Sequence, residues 1–138
     1  RYAFFSAFFR DFFNTDQNLG KRISEDAVRA SWNVAACASP IASVACVATW
    51  GEDFRRDLER IDVPTLVIHG DADRIVPFAA AGARTAKLVR GARLHAVKDG
   101  PHAVNWTHAD EVNAELLSFL GAAKGASASP RTASERVA

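Results

Sequence analysis

The sequence predicts an α/β protein with parallel strands and an incomplete sheet, and three observations predict it. Residues 65–68 (Thr-Leu-Val-Ile) are apolar toward both faces and rich in β-branched side chains, the pattern of a strand buried on both sides. A helical pattern separates them from a second strand at 92–97, weaker because of Arg93 and His95, and another helix follows. That order implies parallel strands joined by a right-handed crossover. Two such strands make no stable open sheet alone, so further strands are expected outside these 138 residues.

The elements follow in order. Residues 1–14 carry Phe4, Phe5, Phe8, Phe9, Phe12 and Phe13, pairs four residues apart that give a helix a wide aromatic face. Residues 14–20 are a break rich in turn formers. Ser24 is placed as N-cap of a helix over 25–38, with Glu25 and Asp26 suited to its first turn. Ser39-Pro40 restarts a helix through about residue 49, with proline at the first position. Gly51 breaks again, and 52–60 reads as a short charged helix. Past the first strand an alanine-rich helix spans 78–89. Thr107 is the expected cap of the last helix, 108–120, with Asp110 in a capping-box-like position. Three segments result: a helical part over 1–60, strand–helix–strand–helix over 61–120, and a tail over 121–138 whose small and polar residues read as disordered.

Composition narrows the classes of function. The 49% hydrophobic content is enough for one domain's core, and the net charge of +1 points to neither nucleic acid nor a membrane surface. The apolar stretches are far shorter than the ~18 residues that span a bilayer. Cys37 and Cys46 read as free, buried thiols, which suits a reducing cytoplasm, with a structural disulfide as the alternative. The chain opens on Arg1 inside a helical pattern, without the layout of a signal peptide, and this predicts a piece of a longer chain.

The chemistry concentrates in two turns. Ile68-His69-Gly70-Asp71-Ala72-Asp73 puts carboxylates just past the first strand, and Asp99-Gly100-Pro101-His102 puts an imidazole just past the second. Parallel neighbours bring such turns together, and an acid with a base are the supporting members of a Ser-His-Asp triad. Asp73 is the expected acid; Asp71 is better placed for a turn role, and Asp99 lies across the Gly-Pro turn from His102. His69 is expected to bond backbone, while His95 and His108 sit on the weak strand and in the last helix. The third member, a serine in Gly-x-Ser-x-Gly, occurs nowhere in the sequence. No metal-ligand spacing and no phosphate-binding glycine loop is present, so no metal and no cofactor is expected. Trp32 and Trp106 are candidate substrate-binding residues, with core packing as their alternative; the phenylalanine face carries the same choice, core being the default.

At these residues the chain resembles the α/β-hydrolase fold, in particular the cofactor-free (non-haem) haloperoxidase or chloroperoxidase group with its perhydrolase and esterase relatives. The resemblance rests on Phe9-Arg10-Asp11-Phe12-Phe13-Asn14, Ser31-Trp32-Asn33-Val34-Ala35-Ala36, Ala45-Cys46-Val47-Ala48-Thr49-Trp50 and Asp53-Phe54-Arg55-Arg56-Asp57-Leu58. Gly100-Pro101-His102 and Trp106-Thr107-His108-Ala109-Asp110-Glu111-Val112-Asn113 complete it. It implies that 1–60 is the helical cap, that 61–120 is the C-terminal end of the core, and that Asp73 and His102 are triad acid and base. The serine and oxyanion-hole amides would lie upstream. The implied reaction is acyl transfer from an ester or carboxylic acid to water or hydrogen peroxide, the peracid then oxidising halide. A plain esterase, a lactonase or a carbon–carbon bond hydrolase of the same fold is the alternative, and a non-catalytic remnant is the alternative of another class. Ala103-Val104-Asn105 departs from the apolar run frequent after the histidine. The expected partners are small molecules, with no nucleic acid and no membrane; a homo-oligomer is left open.

Overall fold

The structure, a computed structural model, describes residues 1–127. Helix α1 (Tyr2–Phe13) ends because Asn14 adopts a left-handed conformation, φ 46° and ψ 58°, and its N–H closes on the carbonyls of Arg10 and Asp11. Asparagine tolerates that conformation better than most residues. A single turn, α2 (Thr15–Asn18), follows, and the Asn18 amide donates to the Phe13 carbonyl at 2.8 Å beneath it. Helix α3 (Glu25–Cys37) starts at Ser24, whose hydroxyl accepts from the Ala27 N–H. Helix α4 (Pro40–Ala48) starts at Ser39 in the same way, with proline in its first turn.

The charged segment departs from the single helix expected over 52–60. A 3₁₀ turn (Thr49–Gly51) comes first, and α5 (Arg55–Leu58) is one turn long. Asp53 accepts from the Arg55 N–H, an Asx-type contact that starts the turn later than the charge pattern suggests.

Strand β1 (Leu66–Gly70) pairs in parallel with β2 (Arg93–Val97), Leu66 opposite Arg93 and Gly70 opposite Val97. The crossover is a 3₁₀ turn (Phe78–Ala80) and α6 (Gly82–Leu88), split at Ala81 where one helix was expected. Two pieces, α7 (Val104–Thr107) and α8 (Ala109–Ser127), replace the single last helix. Thr107 does not cap it: the hydroxyl donates back to the Ala103 carbonyl at 3.2 Å and meets His108 Nδ1 at 2.9 Å. Gly121 does not stop α8 either, so residues 121–127 of the expected tail are helical. The rest of that tail, 128–138, lies outside the described residues.

Helix α8 is tied to β2 by Arg93–Glu115 and His95–Glu111, both at 2.8 Å. The core gathers Phe9, Phe13, Ile23 and Ala103, flanked by half-buried Phe5, Phe8, Phe12 and Trp32. Two expectations about burial are corrected. Residues 65–68 are half-buried rather than enclosed, because a two-stranded sheet gives β1 one lateral neighbour. Cys37 and Cys46 are exposed, since α3 and α4 have no fully buried position. Among the described residues no single helix is long and apolar enough to cross a membrane.

Candidate active site

The site is assembled by two strand ends that almost touch. A Cβ on Gly70 would strike the Gly100 carbonyl oxygen, and one on Gly100 would lie 3.0 Å from the Gly70 Cα and 2.9 Å from Val97 Cγ1. Only glycine allows the two backbones this approach. Two hydrogen bonds then staple the turns, from Asp71 N–H to Val97 O at 3.0 Å and from Ala72 N–H to Gly100 O at 3.1 Å. The Asp71 carboxylate accepts from the Asp99 N–H at 2.6 Å, holding Asp99 at a φ of 55°. Asp71 thus braces the opposite turn rather than its own.

That brace leaves Asp73 and His102 facing each other. Asp73 Oδ2 lies 2.8 Å from His102 Nδ1, and Oδ1 accepts the N–H groups of Ile75 at 2.8 Å and Val76 at 2.9 Å. The Asp73 side chain is only 3% exposed. Burial pushes its carboxyl up, but the N–H of Val76, the imidazole of His102 and the N–H of Ile75 together hold it below the ordinary carboxylate value. Asp73 is therefore an anion, and a carboxylate on Nδ1 sets His102 in the tautomer that leaves Nε2 with a lone pair. The His102 side chain is 34% exposed, and its Nε2 makes no hydrogen bond among the described residues.

Helix α1 reaches both turns. The Asn14 amide donates to Ala72 O at 2.9 Å, and the Phe12 carbonyl accepts from Ala103 N–H at 3.1 Å. The Phe12 ring packs against the His102 imidazole, centroids 4.9 Å apart. Outside, Arg74 and Asp16 make a two-pronged ion pair at 2.8 and 3.1 Å.

A family model described as "Alpha/beta hydrolase family" matches residues 1–115. The chain belongs to the alpha/beta hydrolase family. Among relatives of this hydrolase chain, the "Putative non-heme chloroperoxidase" of Synechocystis sp. is 58% identical over 120 residues, covering 87% of the chain and 44% of the relative. The "Bifunctional esterase/perhydrolase DCH" of Acinetobacter calcoaceticus is 31% identical over 102 residues, covering 73% and 37%. The crystal structure of bromoperoxidase from Bacillus anthracis superposes with a TM-score of 0.80 at 39% identity, over 86% of this chain and 43% of that one. The chain thus spans less than half the length of each of these relatives.

Two of the four site residues named from the sequence, Asp73 and His102, are in contact. Trp32 is elsewhere: it packs on Tyr2 and Phe5, centroids 5.5 and 6.1 Å away, in a groove between α1 and α3. Trp106, on α7, is 54% exposed and makes no ring contact with His102 among the described residues. Three neighbours of the pair were not named as site residues: Phe12, Asn14 and His69, which bonds the Val76 backbone carbonyl as expected and whose Nε2 also lies 3.0 Å from Asp73 Oδ2. The Phe12 position was open to a periodicity argument, being on the aromatic face; the left-handed turn at Asn14 was not. Among the described residues no three His, Cys, Asp or Glu side chains converge as a metal site would require.

Proposed function

We propose that the intact protein is a non-haem chloroperoxidase- or perhydrolase-like acyl-transfer enzyme. Asp73 and His102 would be the acid and base of a Ser-His-Asp triad whose serine belongs to a part of the protein outside these residues. The observation that carries this is the 2.8 Å contact from an anionic, nearly buried Asp73 to His102 Nδ1, with no hydrogen bond to Nε2 among the described residues. The names of the relatives support the reaction class.

In this reading Nε2 takes the proton of the serine hydroxyl as its oxygen attacks the acyl carbon. The imidazolium that forms is stabilised by Asp73, and then returns the proton to the departing alcohol or water. A second acceptor, water or hydrogen peroxide, gives its proton to His102 while attacking the acyl-enzyme. The product is a carboxylic acid or a peracid, and the serine is regenerated. A peracid leaving the site can oxidise halide in solution, so halogenation needs no bound metal. The Phe12 ring beside His102 supplies an apolar wall on one side of the base.

Plain ester hydrolysis is the second reading, favoured by the relative whose name joins esterase and perhydrolase. One assay separates them. The full-length gene product is given an ester alone, and separately a short carboxylic acid with hydrogen peroxide. Peracid in the second arm supports the first reading; ester turnover without peracid leaves the esterase. In either arm His102→Ala is expected to lower kcat by about 10⁴ or more. The purified 138-residue chain is expected to turn over neither substrate, and measurable ester hydrolysis by it overturns the proposal.

A further inference from the structure

Asp73 serves two imidazoles, and the second has no part in the chemistry described so far. We propose that His69 is a positioning residue for the acid–base pair, holding the Asp73 carboxylate in place while His102 uses it. The inference rests on the reading of Asp73 and His102 as triad members.

His69 is the penultimate residue of β1, and its side chain turns under the loop that follows. Its Nε2 lies 2.9 Å from the Val76 carbonyl oxygen and 3.0 Å from Asp73 Oδ2. A carbonyl oxygen only accepts, so Nε2 carries a proton; that N–H is given to Val76, and Asp73 Oδ2 lies beside it in electrostatic contact without a hydrogen bond. The ring is boxed in on its other side. A Cβ on Gly82 would lie 2.6 Å from Nδ1, and the Phe78 ring meets the imidazole edge-on at 5.6 Å. Gly82 at the start of α6 is therefore what makes room for an imidazole. Asp73 is the one charged group in contact with His69 among the described residues; the rest of its box is Val76, Phe78 and Gly82.

The carboxylate is then filled on both sides. Oδ1 takes two backbone N–H groups, and Oδ2 takes the N–H of His102, with His69 Nε2 in electrostatic contact 3.0 Å away. Two consequences follow. The His69 bridge to Val76 closes the acid loop on itself and prevents the carboxylate from turning away from His102. The His69 ring also places a polar nitrogen 3.0 Å from the oxygen that His102 uses. Removing His69 would loosen the acid and take that polar neighbour from Oδ2.

The test uses the full-length protein with ester substrate. His69→Leu is expected to lower kcat/KM about tenfold. The acid limb of its pH profile moves as well, because a polar neighbour of Oδ2 is replaced by a methyl-bearing side chain. His69→Gln places an amide N–H near the same oxygens and is expected to restore most of both. Wild-type kcat/KM and pH limb in His69→Leu overturn the proposal. So does a Gln variant as impaired as the Leu variant, which would mark a packing role only. Should His69→Leu fail to fold, the His69→Gln profile and the ¹⁵N signature of the His69 ring decide. A ring protonated at Nδ1 instead of Nε2 near neutral pH overturns it. His102→Ala separates the two readings. If that variant keeps its turnover, the triad itself is wrong; if it is dead while His69→Leu is unaffected, only this inference falls.

Discussion

A carboxylate with almost no solvent contact stays ionised when enough donors face it, and Asp73 accepts from three, the N–H groups of Ile75, Val76 and His102. His108 shows the opposite balance. It is 7% exposed at the bend between α7 and α8. Burial, with Arg22 adding to it, pushes its imidazole below the ordinary histidine value. A depressed histidine is neutral in the fold but takes up a proton in the unfolded chain, so stability falls as pH drops through about 6.5. Urea unfolding of the chain at pH 7.5 and at pH 5.5 is expected to show this loss, and His108→Gln is expected to flatten the difference. An unchanged difference in that variant would assign the pH dependence to other groups. Asp73 and His102 were legible in the sequence because position just after a strand fixes where a short turn's side chain goes. The backbone bond of His69 was legible too, but its contact with Asp73 was not, since that depends on the loop returning Asp73 over the strand that launched it. Trp32 was named from residue type, which does not report proximity; its ring is held by Tyr2 and Phe5 and makes no ring contact with His102 among the described residues.

At the scale of elements, β1 and β2 are joined less by their length than by the contact of their two ends. Gly70→Ala puts a methyl group against the Gly100 and Pro101 carbonyls, where neither backbone has room to yield. The variant is expected to lose about 1–3 kcal/mol of stability. It should also weaken the Asp73–His102 contact, visible as a changed His102 titration by NMR. A stable variant with an unaltered titration would show that the turns do not depend on that approach. Helix caps at Ser24 and Ser39 were readable from local sequence, as was the parallel pairing. The break at Ala81, the division of the last helix at His108 and its run past Gly121 were not. Each is settled by side chains arriving from elsewhere or by the absence of a left-handed turn, and helical periodicity reports neither.

For the molecule as a whole, apolar surface is distributed unevenly. Val34, Ile41, Val44 and Trp50 are each at least 74% exposed, all on α3, α4 and the 3₁₀ turn after them. Both strands of the sheet also have one unpaired edge among the described residues. Exposed apolar patches and open edges promote association. The 138-residue chain is expected to associate with rising concentration in sedimentation velocity, and Ile41→Lys with Val44→Lys is expected to reduce it. A monodisperse monomer at high concentration would contradict this. The sequence showed that the sheet lacked strands, because a doubly apolar strand needs neighbours. It could not show that the cysteines would be exposed, since that depends on what lies against α3 and α4.

The attachments of α1 have an engineering consequence. Asn14 grips the acid turn, Phe12 grips the base turn, and α3 packs chiefly on α1. The stretch over 25–51 is therefore a module hung on a fixed bracket. It could be exchanged for the corresponding stretch of a relative while the distance between Asp73 and His102 stays as it is.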